Sequence, residues 1–132
     1  MAFDWRARAI LWLDGGAAFL AGATVLAVRG WLAQLYAFAP ALVFFLGAMN
    51  LLYASYSGAL AVLASRGVPL KRRAIDVLVI ANAGWVAVCA GLVAWLWSSA
   101  SVFGLLHVAF EGAFVGTLAL AEARFVRPCA QR

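Results

Sequence analysis

Residues 9–28 read AILWLDGGAAFLAGATVLAV, a run in which Asp14 is the only charged residue. A helix that crosses the hydrocarbon core of a bilayer needs about 20 predominantly apolar residues. The run therefore predicts a membrane-spanning helix with one carboxyl group inside the membrane. Insertion scales give a cost of roughly 2.5–3.5 kcal/mol for such a group, so its presence indicates a site for an ion, a proton or a substrate.

Three further helices follow from the same criterion. The segments 30–65 and 77–110 contain no charged residue, and 67% of the whole chain is hydrophobic. Pro40 suits the first turn of a helix, whereas Gly67 and Pro69 end one. We predict a single-domain, all-α membrane protein, folded as a bundle of four transmembrane helices with antiparallel neighbours. The domain covers residues 1–132 and the predicted helices cover residues 9–28, 39–64, 74–97 and 102–123.

Positive charge falls mainly on one side of this predicted bundle. Nine of the ten Lys and Arg residues precede the first helix, join the second to the third or follow the fourth, and Arg29 lies on the other side. Because short cytoplasmic loops are enriched in Lys and Arg, we predict that both termini are cytoplasmic and that the protein is a multi-pass protein of the inner (cytoplasmic) membrane. The basic residues, which give the chain its net charge of +5, are then expected to face lipid headgroups, and we expect no nucleic acid to bind.

Polar side chains in the other predicted helices lie at a depth similar to that of Asp14. With a rise of about 1.5 Å per residue, Asn50 and Glu111 fall near the centres of the second and fourth helices, and Asn82 falls in the third helix at about the depth of Asp14, on the cytoplasmic side of the centre. His107 lies one turn from Glu111 on the same face, because residues four apart are neighbours on a helix. Polar groups that faced lipid would lack hydrogen-bond partners, so we expect these side chains to meet inside the bundle.

The candidate site has a charged part and a ligand-binding part. Asp14 and Glu111 are predicted to carry charge or protons and His107 to tune Glu111, which makes these three the candidates for catalytic chemistry. Four side chains are predicted to contact the ligand. It is oriented by Asn50, Tyr53 and Asn82, and Trp85 stacks on it. A purely structural role is the alternative for each of these side chains, because a hydrogen bond between membrane helices stabilises their packing by about 0.6 kcal/mol on average.

The three remaining acidic residues are each within three residues of an arginine. A charged side chain at the end of a membrane helix can reach water and an opposite charge without a buried partner. We therefore expect Asp4, Asp76 and Glu122 to be solvated charges at the membrane interface, outside the candidate site.

The expected partners are the lipid bilayer and a small lipophilic or cationic ligand. We predict no metal site, because His107 and Cys89 supply too few ligands. We also predict no cofactor; a haem bound to His107 is an alternative that a Soret absorption band would reveal. Gly112 and Gly116 form a GxxxG motif, which predicts close packing within the bundle or a homo-oligomer.

Three features of the chain form a pattern. The first helix has an Arg–apolar–Asp start (Arg8, Asp14), the second contains Tyr53, and the third contains Asn-x-x-Trp (Asn82, Trp85). This arrangement resembles that of small bacterial four-helix membrane proteins, including the DoxX-like group. The likeness spans most of the chain. It implies a four-helix membrane fold and little about chemistry.

Two other resemblances imply different activities. An acid in the first helix, here Asp14, is similar to the small multidrug-resistance transporters, which are four-helix chains of comparable length. His107/Glu111 and Asn82/Trp85 have the His-x-x-x-Glu and Asn-x-x-Trp spacings that resemble the sterol-isomerase family related to emopamil-binding protein. That second resemblance implies an acid and a base that shuttle a proton while Trp85 faces a developing cation.

Residues and resemblances together predict a bundle that binds a small lipophilic or cationic molecule at an intramembrane site, with proton-coupled transport. An intramembrane isomerase acting on a lipophilic substrate is one alternative, and a structural or accessory subunit of a membrane complex is another. The chain contains no Walker loop, nucleophile elbow, Cys-x-x-Cys or dinucleotide fingerprint. ATP hydrolysis and soluble-type redox chemistry are therefore not expected.

Overall fold

A computed structural model describes residues 4–131 of the chain, with 86% of the residues in helices and no strand in that part of the chain. Four of the five helices in this range are long and apolar enough to span a membrane, so the chain is an all-α, multi-pass membrane protein. The helices are α1 (Trp5–Ala27), α2 (Arg29–Tyr36), α3 (Pro40–Ser65), α4 (Arg72–Leu96) and α5 (Val102–Ala121), and α5 continues through a π-helical turn (Glu122–Val126) and a 3₁₀ turn (Arg127–Cys129).

Each of the four predicted helices corresponds to one long helix, α1, α3, α4 or α5, with ends that differ by up to four residues. The largest difference is at the start of α1, which begins at Trp5. The Asp4 side chain caps this end by accepting a hydrogen bond from the Ala7 amide at 2.7 Å. An aspartate at this position satisfies an amide that has no partner within the helix, so α1 includes the basic residues that precede its apolar run.

The short helix α2 does not follow from the sequence analysis. Val28, with φ −112° and ψ 22°, separates it from α1, and Ala37, in the left-handed region at φ 54°, ends it. The Ala37 amide donates to the Gln34 carbonyl at 3.2 Å, a type of helix cap that usually contains glycine. Because the segment 30–65 has no charged residue, hydropathy gives no sign of where the chain leaves one helix and enters the next.

The long helices pack as two antiparallel pairs, α1 with α3 and α4 with α5. In the first pair, a Cβ added to Gly15 would lie 2.9 Å from the Gly58 amide nitrogen, so two backbones are in direct contact. In the second pair, a Cβ added to Gly112 would lie 2.9 Å from the Cβ of Cys89. The GxxxG motif of α5 thus packs against α4 of its own chain, as small residues do between membrane helices.

Gly15→Ala is expected to destabilise the α1–α3 pair, whereas Gly16→Ala is expected to be neutral or slightly stabilising. At Gly15 the new methyl group meets backbone atoms of Gly58 that cannot move aside, while nothing lies within 4 Å of a Cβ at Gly16. Overpacking costs about 1–3 kcal/mol, and replacing glycine within a helix gains about 0.5–1 kcal/mol. Circular dichroism of the two variants, unfolded by heat in one detergent, measures the difference. Equal midpoints would contradict the close approach of these two backbones.

Two apolar clusters fill the ends of the bundle. The first contains Leu11, Leu60 and Leu78, and the second contains Val25, Leu46 and Val108. Large apolar side chains cover the outward faces, as contact with lipid requires. The buried polar side chains lie between or beside these clusters: Asp14, Asn50, Ser57, Asn82 and Glu122.

Candidate functional site

Glu111 of α5 lies where three of the long helices meet. Its Oε1 accepts hydrogen bonds from Asn50 Nδ2 of α3 and from Trp85 Nε1 of α4, each at 2.8 Å. Its Oε2 lies 3.3 Å from Nε2 of His107, one turn earlier in α5. A carboxylate accepts hydrogen bonds and donates none, so three N–H groups around these two oxygens match the ionised form of Glu111.

Tyr36, the last residue of α2, extends this cluster towards the end of the bundle. Its hydroxyl lies 3.2 Å from His107 Nδ1, and the two ring centroids are 5.1 Å apart. A neutral His107 with its proton on Nε2 donates to Glu111 and accepts from Tyr36, so one tautomer satisfies both contacts. Burial raises the pKa of the Tyr36 phenol, and the negative charge of Glu111 raises it further, so Tyr36 stays a donor at neutral pH.

Tyr36 is a site residue that the sequence did not predict. Seventy-one residues separate Tyr36 from His107, and no helical spacing connects them. The contact depends on the break at Val28 and on the turn after α2, which bring the end of this short helix over the start of α5. The Ser101 amide and hydroxyl, which bond to the last carbonyls of α2, fix that position.

Glu122 forms the centre of a second polar cluster, and the structure corrects the expectation that it is a solvated interface charge. The residue is 0% exposed, and its Oε2 accepts a hydrogen bond from Asn82 Nδ2 of α4 at 3.0 Å. Arg124, the arginine expected to pair with it, is exposed to the outside. Eleven residues separate Glu111 from Glu122, which is about three helical turns, and this spacing is the signal that would have placed both on one face.

Asp14 of α1 lies beside Glu122. It is 3% exposed, and its polar neighbours are the side chains of Ser57, Asn82 and Glu122. One oxygen of each acid, Asp14 Oδ2 and Glu122 Oε1, is buried without a hydrogen-bond partner among residues 4–131. The ion pairs in the same part of the chain are His107–Glu111 and Arg127–Asp76, so neither acid of this cluster is paired with a basic side chain.

A cavity of about 370 Å³ lies between α1 and α5 and joins the two clusters. Its polar wall comes from three helices: Asp14 of α1, Asn50 of α3, and His107 and Glu111 of α5. The rest of the wall is apolar: Ala17, Ala18, Ala21, Phe110, Phe114, Val115 and Leu118. Small-molecule sites have volumes of about 300–1,000 Å³, so an organic molecule of modest size fits.

Three predicted ligand-binding residues are not in the cavity wall. The Trp85 ring packs against Phe45 and Tyr53, with centroids 6.0 and 5.8 Å away, while its N–H binds Glu111. The Tyr53 hydroxyl donates to the Ala81 carbonyl at 2.8 Å. Trp85 and Asn82 therefore each donate a hydrogen bond to one of the two glutamates, Glu111 and Glu122.

Comparison of the chain with protein-family models, with curated proteins and with solved structures finds no match. The chemistry of the site is therefore inferred from its side chains. Carboxylates at the edge of an apolar cavity attract positive charge and repel anions. No group of three or more His, Cys, Asp or Glu side chains within residues 4–131 has an arrangement that could hold a metal ion. The wall thus combines carboxyl groups with an otherwise mainly apolar surface.

Proposed function

We propose that the protein binds a small lipophilic cation in the cavity between α1 and α5 and carries it across the membrane in exchange for protons. The observation that carries this proposal is the cavity wall, which combines the carboxyl groups of Asp14 and Glu111 with an otherwise mainly apolar surface. A cation that enters a membrane loses its hydration, and carboxylates compensate part of that cost. The apolar surface binds the hydrocarbon groups of the same ligand.

Two phenylalanines in the wall support a cationic ligand that enters from the bilayer. The rings of Phe110 and Phe114 are nearly parallel, with centroids 6.4 Å apart. The face of an aromatic ring attracts a cation by about 0.5–2 kcal/mol, depending on how far the pair is desolvated. Phe110 is 72% exposed, so this edge of the cavity lies at the outer surface of the bundle, where a lipophilic molecule dissolved in lipid would reach it.

The hydrogen-bonded chain from Tyr36 through His107 to Glu111 supports proton coupling. We infer from the distribution of Lys and Arg that both termini lie in the cytoplasm, which puts α2 on the outer side of the inner membrane. The chain then connects the outer surface with a carboxylate in the cavity wall. Histidine is the side chain that exchanges a proton most readily near neutral pH, so His107 suits this intermediate position.

Binding of benzyltrimethylammonium to the purified protein tests the cation site. This probe has a permanent charge and an aromatic ring, and neopentylbenzene is its neutral control because a carbon atom replaces the charged nitrogen. We expect calorimetry to show saturable binding of the cation at least about tenfold tighter than that of the control, a difference of about 1.4 kcal/mol. Equal affinities would contradict a cation site, and no saturable binding of the cation would contradict the proposal.

Transport is tested separately in liposomes that contain the protein. A pH gradient is expected to drive uptake of radiolabelled benzyltrimethylammonium, because protons leave in the opposite direction. Uptake that does not respond to the gradient would contradict exchange, while the binding measurement would still test the site. Conversion of a lipophilic substrate in detergent, without any gradient, would instead support the intramembrane enzyme.

A further inference from the structure

Glu122 has a buried carboxyl group for which the proposed cation site gives no role. It is not in the cavity wall, yet it lies beside Asp14, which is. Both residues are at least nine-tenths buried, at 0% and 3% exposure. A pair of acids at this depth needs either donors or a cation for its oxygens, because an unpartnered buried polar atom costs about 1–3 kcal/mol.

The hydrogen-bond donors around the pair do not reach two of its four carboxyl oxygens. Asn82 Nδ2 donates to Glu122 Oε2, and the Ser57 hydroxyl donates to the Tyr53 carbonyl of its own helix at 2.9 Å. Asp14 Oδ2 and Glu122 Oε1 are left without a donor among the described residues. Two ionised carboxylates in contact would also repel each other, and sharing a proton is the usual way in which such pairs avoid this.

The other titratable or charged groups near the pair do not supply a positive charge. On α3, the Tyr53 hydroxyl donates to the Ala81 carbonyl. On the segment after α5, Arg127 is paired with Asp76 of α4. The remaining neighbours, Ser57 and Asn82, are neutral. One proton shared by the two carboxyl groups is therefore the simplest positive charge available to both.

We propose that Asp14 and Glu122 share one proton and that this proton is released when a cation binds at Asp14. Release of the proton on cation binding depends on the proposed function, whereas sharing of the proton does not. Before binding, the pair has one O–H bond and a net charge of −1. Binding of a cation breaks that bond, the proton leaves to water, and two carboxylates with one bound cation again have a net charge of −1. The exchange is thus one proton for one monovalent cation and is electroneutral.

Carboxyl ¹³C NMR of the full-length protein tests the shared proton, because the chain has only five acidic residues, two of them glutamates. At neutral pH we expect the Glu122 and Asp14 resonances of the wild-type protein to be perturbed together, and over the pH range both should respond to the same two titration steps, because the protons of an interacting pair leave in two macroscopic steps. Independent titration of the two resonances, or two fully ionised carboxylates, would overturn the proposal. This measurement needs no variant, so it does not depend on the folding of one.

Two substitutions sharpen the assignment. Glu111→Gln should leave the protonated signal in place, because Glu111 belongs to the other cluster. Glu122→Gln should remove it, since the new amide gives Asp14 a donor and Asp14 then ionises alone. An Asp14 that stays protonated in Glu122→Gln would overturn sharing. A pair that is ionised in sodium buffer and protonated only without sodium would also overturn it, in favour of a sodium site.

The claim that cation binding displaces the shared proton is tested by measuring proton release. In weakly buffered detergent solution, benzyltrimethylammonium is expected to release one proton per bound cation from the wild-type protein and none from Glu122→Gln. The probe has no proton of its own to lose, so a released proton comes from the protein. Saturable binding without release would overturn the exchange. If the probe does not bind at all, the proposed function fails, and the NMR result still decides whether the proton is shared.

Discussion

Glu111→Gln is expected to weaken binding of benzyltrimethylammonium by between about 10-fold and 100-fold, which corresponds to roughly 1.4–2.7 kcal/mol, while the fold is kept. The glutamine carbonyl still accepts from Asn50 and Trp85, which are 2.8 Å from Glu111 Oε1. The amide group faces His107, whose Nε2 then accepts while Nδ1–H donates to the Tyr36 hydroxyl. The substitution thus removes the charge and keeps the network, and isothermal calorimetry measures the loss.

Two matched variants make this result specific. Asp76→Asn also removes one carboxylate, but Asp76 pairs with Arg127 and is not in the cavity wall, so its affinity for the probe should equal that of the wild type. Glu111→Asp keeps the charge and should recover part of the affinity. Binding of neopentylbenzene should not change in any of the three variants. An equal loss in Glu111→Gln and Asp76→Asn would show a general charge effect and contradict a role for the cavity.

The membrane-spanning helices could be predicted because a single physical rule determines them. Each needs about 20 apolar residues, and the runs that begin near Ala9, Pro40, Ala74 and Val102 meet this condition. Helical rise also predicted that Asp14 and Glu111 lie at related depths, and both line one cavity. Depth depends only on the position of a residue along its own helix, which is why it can be read from the chain.

The contacts across helices could not be predicted in the same way. Tyr36 reaches His107 through a short helix that hydropathy does not reveal, since after Arg29 its residues are as free of charge as those of the membrane span that follows. Trp85 has the spacing expected of a ligand-binding residue, yet its ring is packed between Phe45 and Tyr53. Which way a side chain on an apolar helix turns depends on its neighbours in other helices.

Glu122 shows how a local charge pattern can mislead. An arginine two residues away is the usual sign of a solvated acid, and Arg124 is indeed exposed. Successive residues on a helix point in different directions, however, so Arg124 and Glu122 do not share a face. The donor that Glu122 uses is Asn82 on another helix, 40 residues earlier in the chain. The i, i+11 spacing from Glu111 predicts that Glu122 lies on the same buried face, and it is a better guide here than the nearby arginine.

Asp14→Asn is expected to abolish uptake of benzyltrimethylammonium driven by a pH gradient while part of the binding remains. Asparagine has the shape of aspartate, and its amide offers a donor to the orphaned Glu122 Oε1, so the bundle should stay folded. Glu111 keeps its charge and its donors, so a cation still enters the cavity. The amide cannot hold or release a proton, however, and Glu122 has no surface in the cavity through which to replace it.

Uptake into proteoliposomes with and without a pH gradient measures this uncoupling. For Asp14→Asn we expect the response to the pH gradient to disappear and any remaining uptake to follow the membrane potential, because a cation that crosses without exchange for a proton carries net charge. Asp76→Asn, which removes a carboxylate outside the cavity, should behave like the wild type, with uptake that follows the pH gradient and not the membrane potential. Gradient-driven uptake at the wild-type rate in Asp14→Asn would assign the coupling to another group. Within this site Glu111 and His107 are the groups that could take that role, because they are the other titratable side chains in the wall of the same cavity.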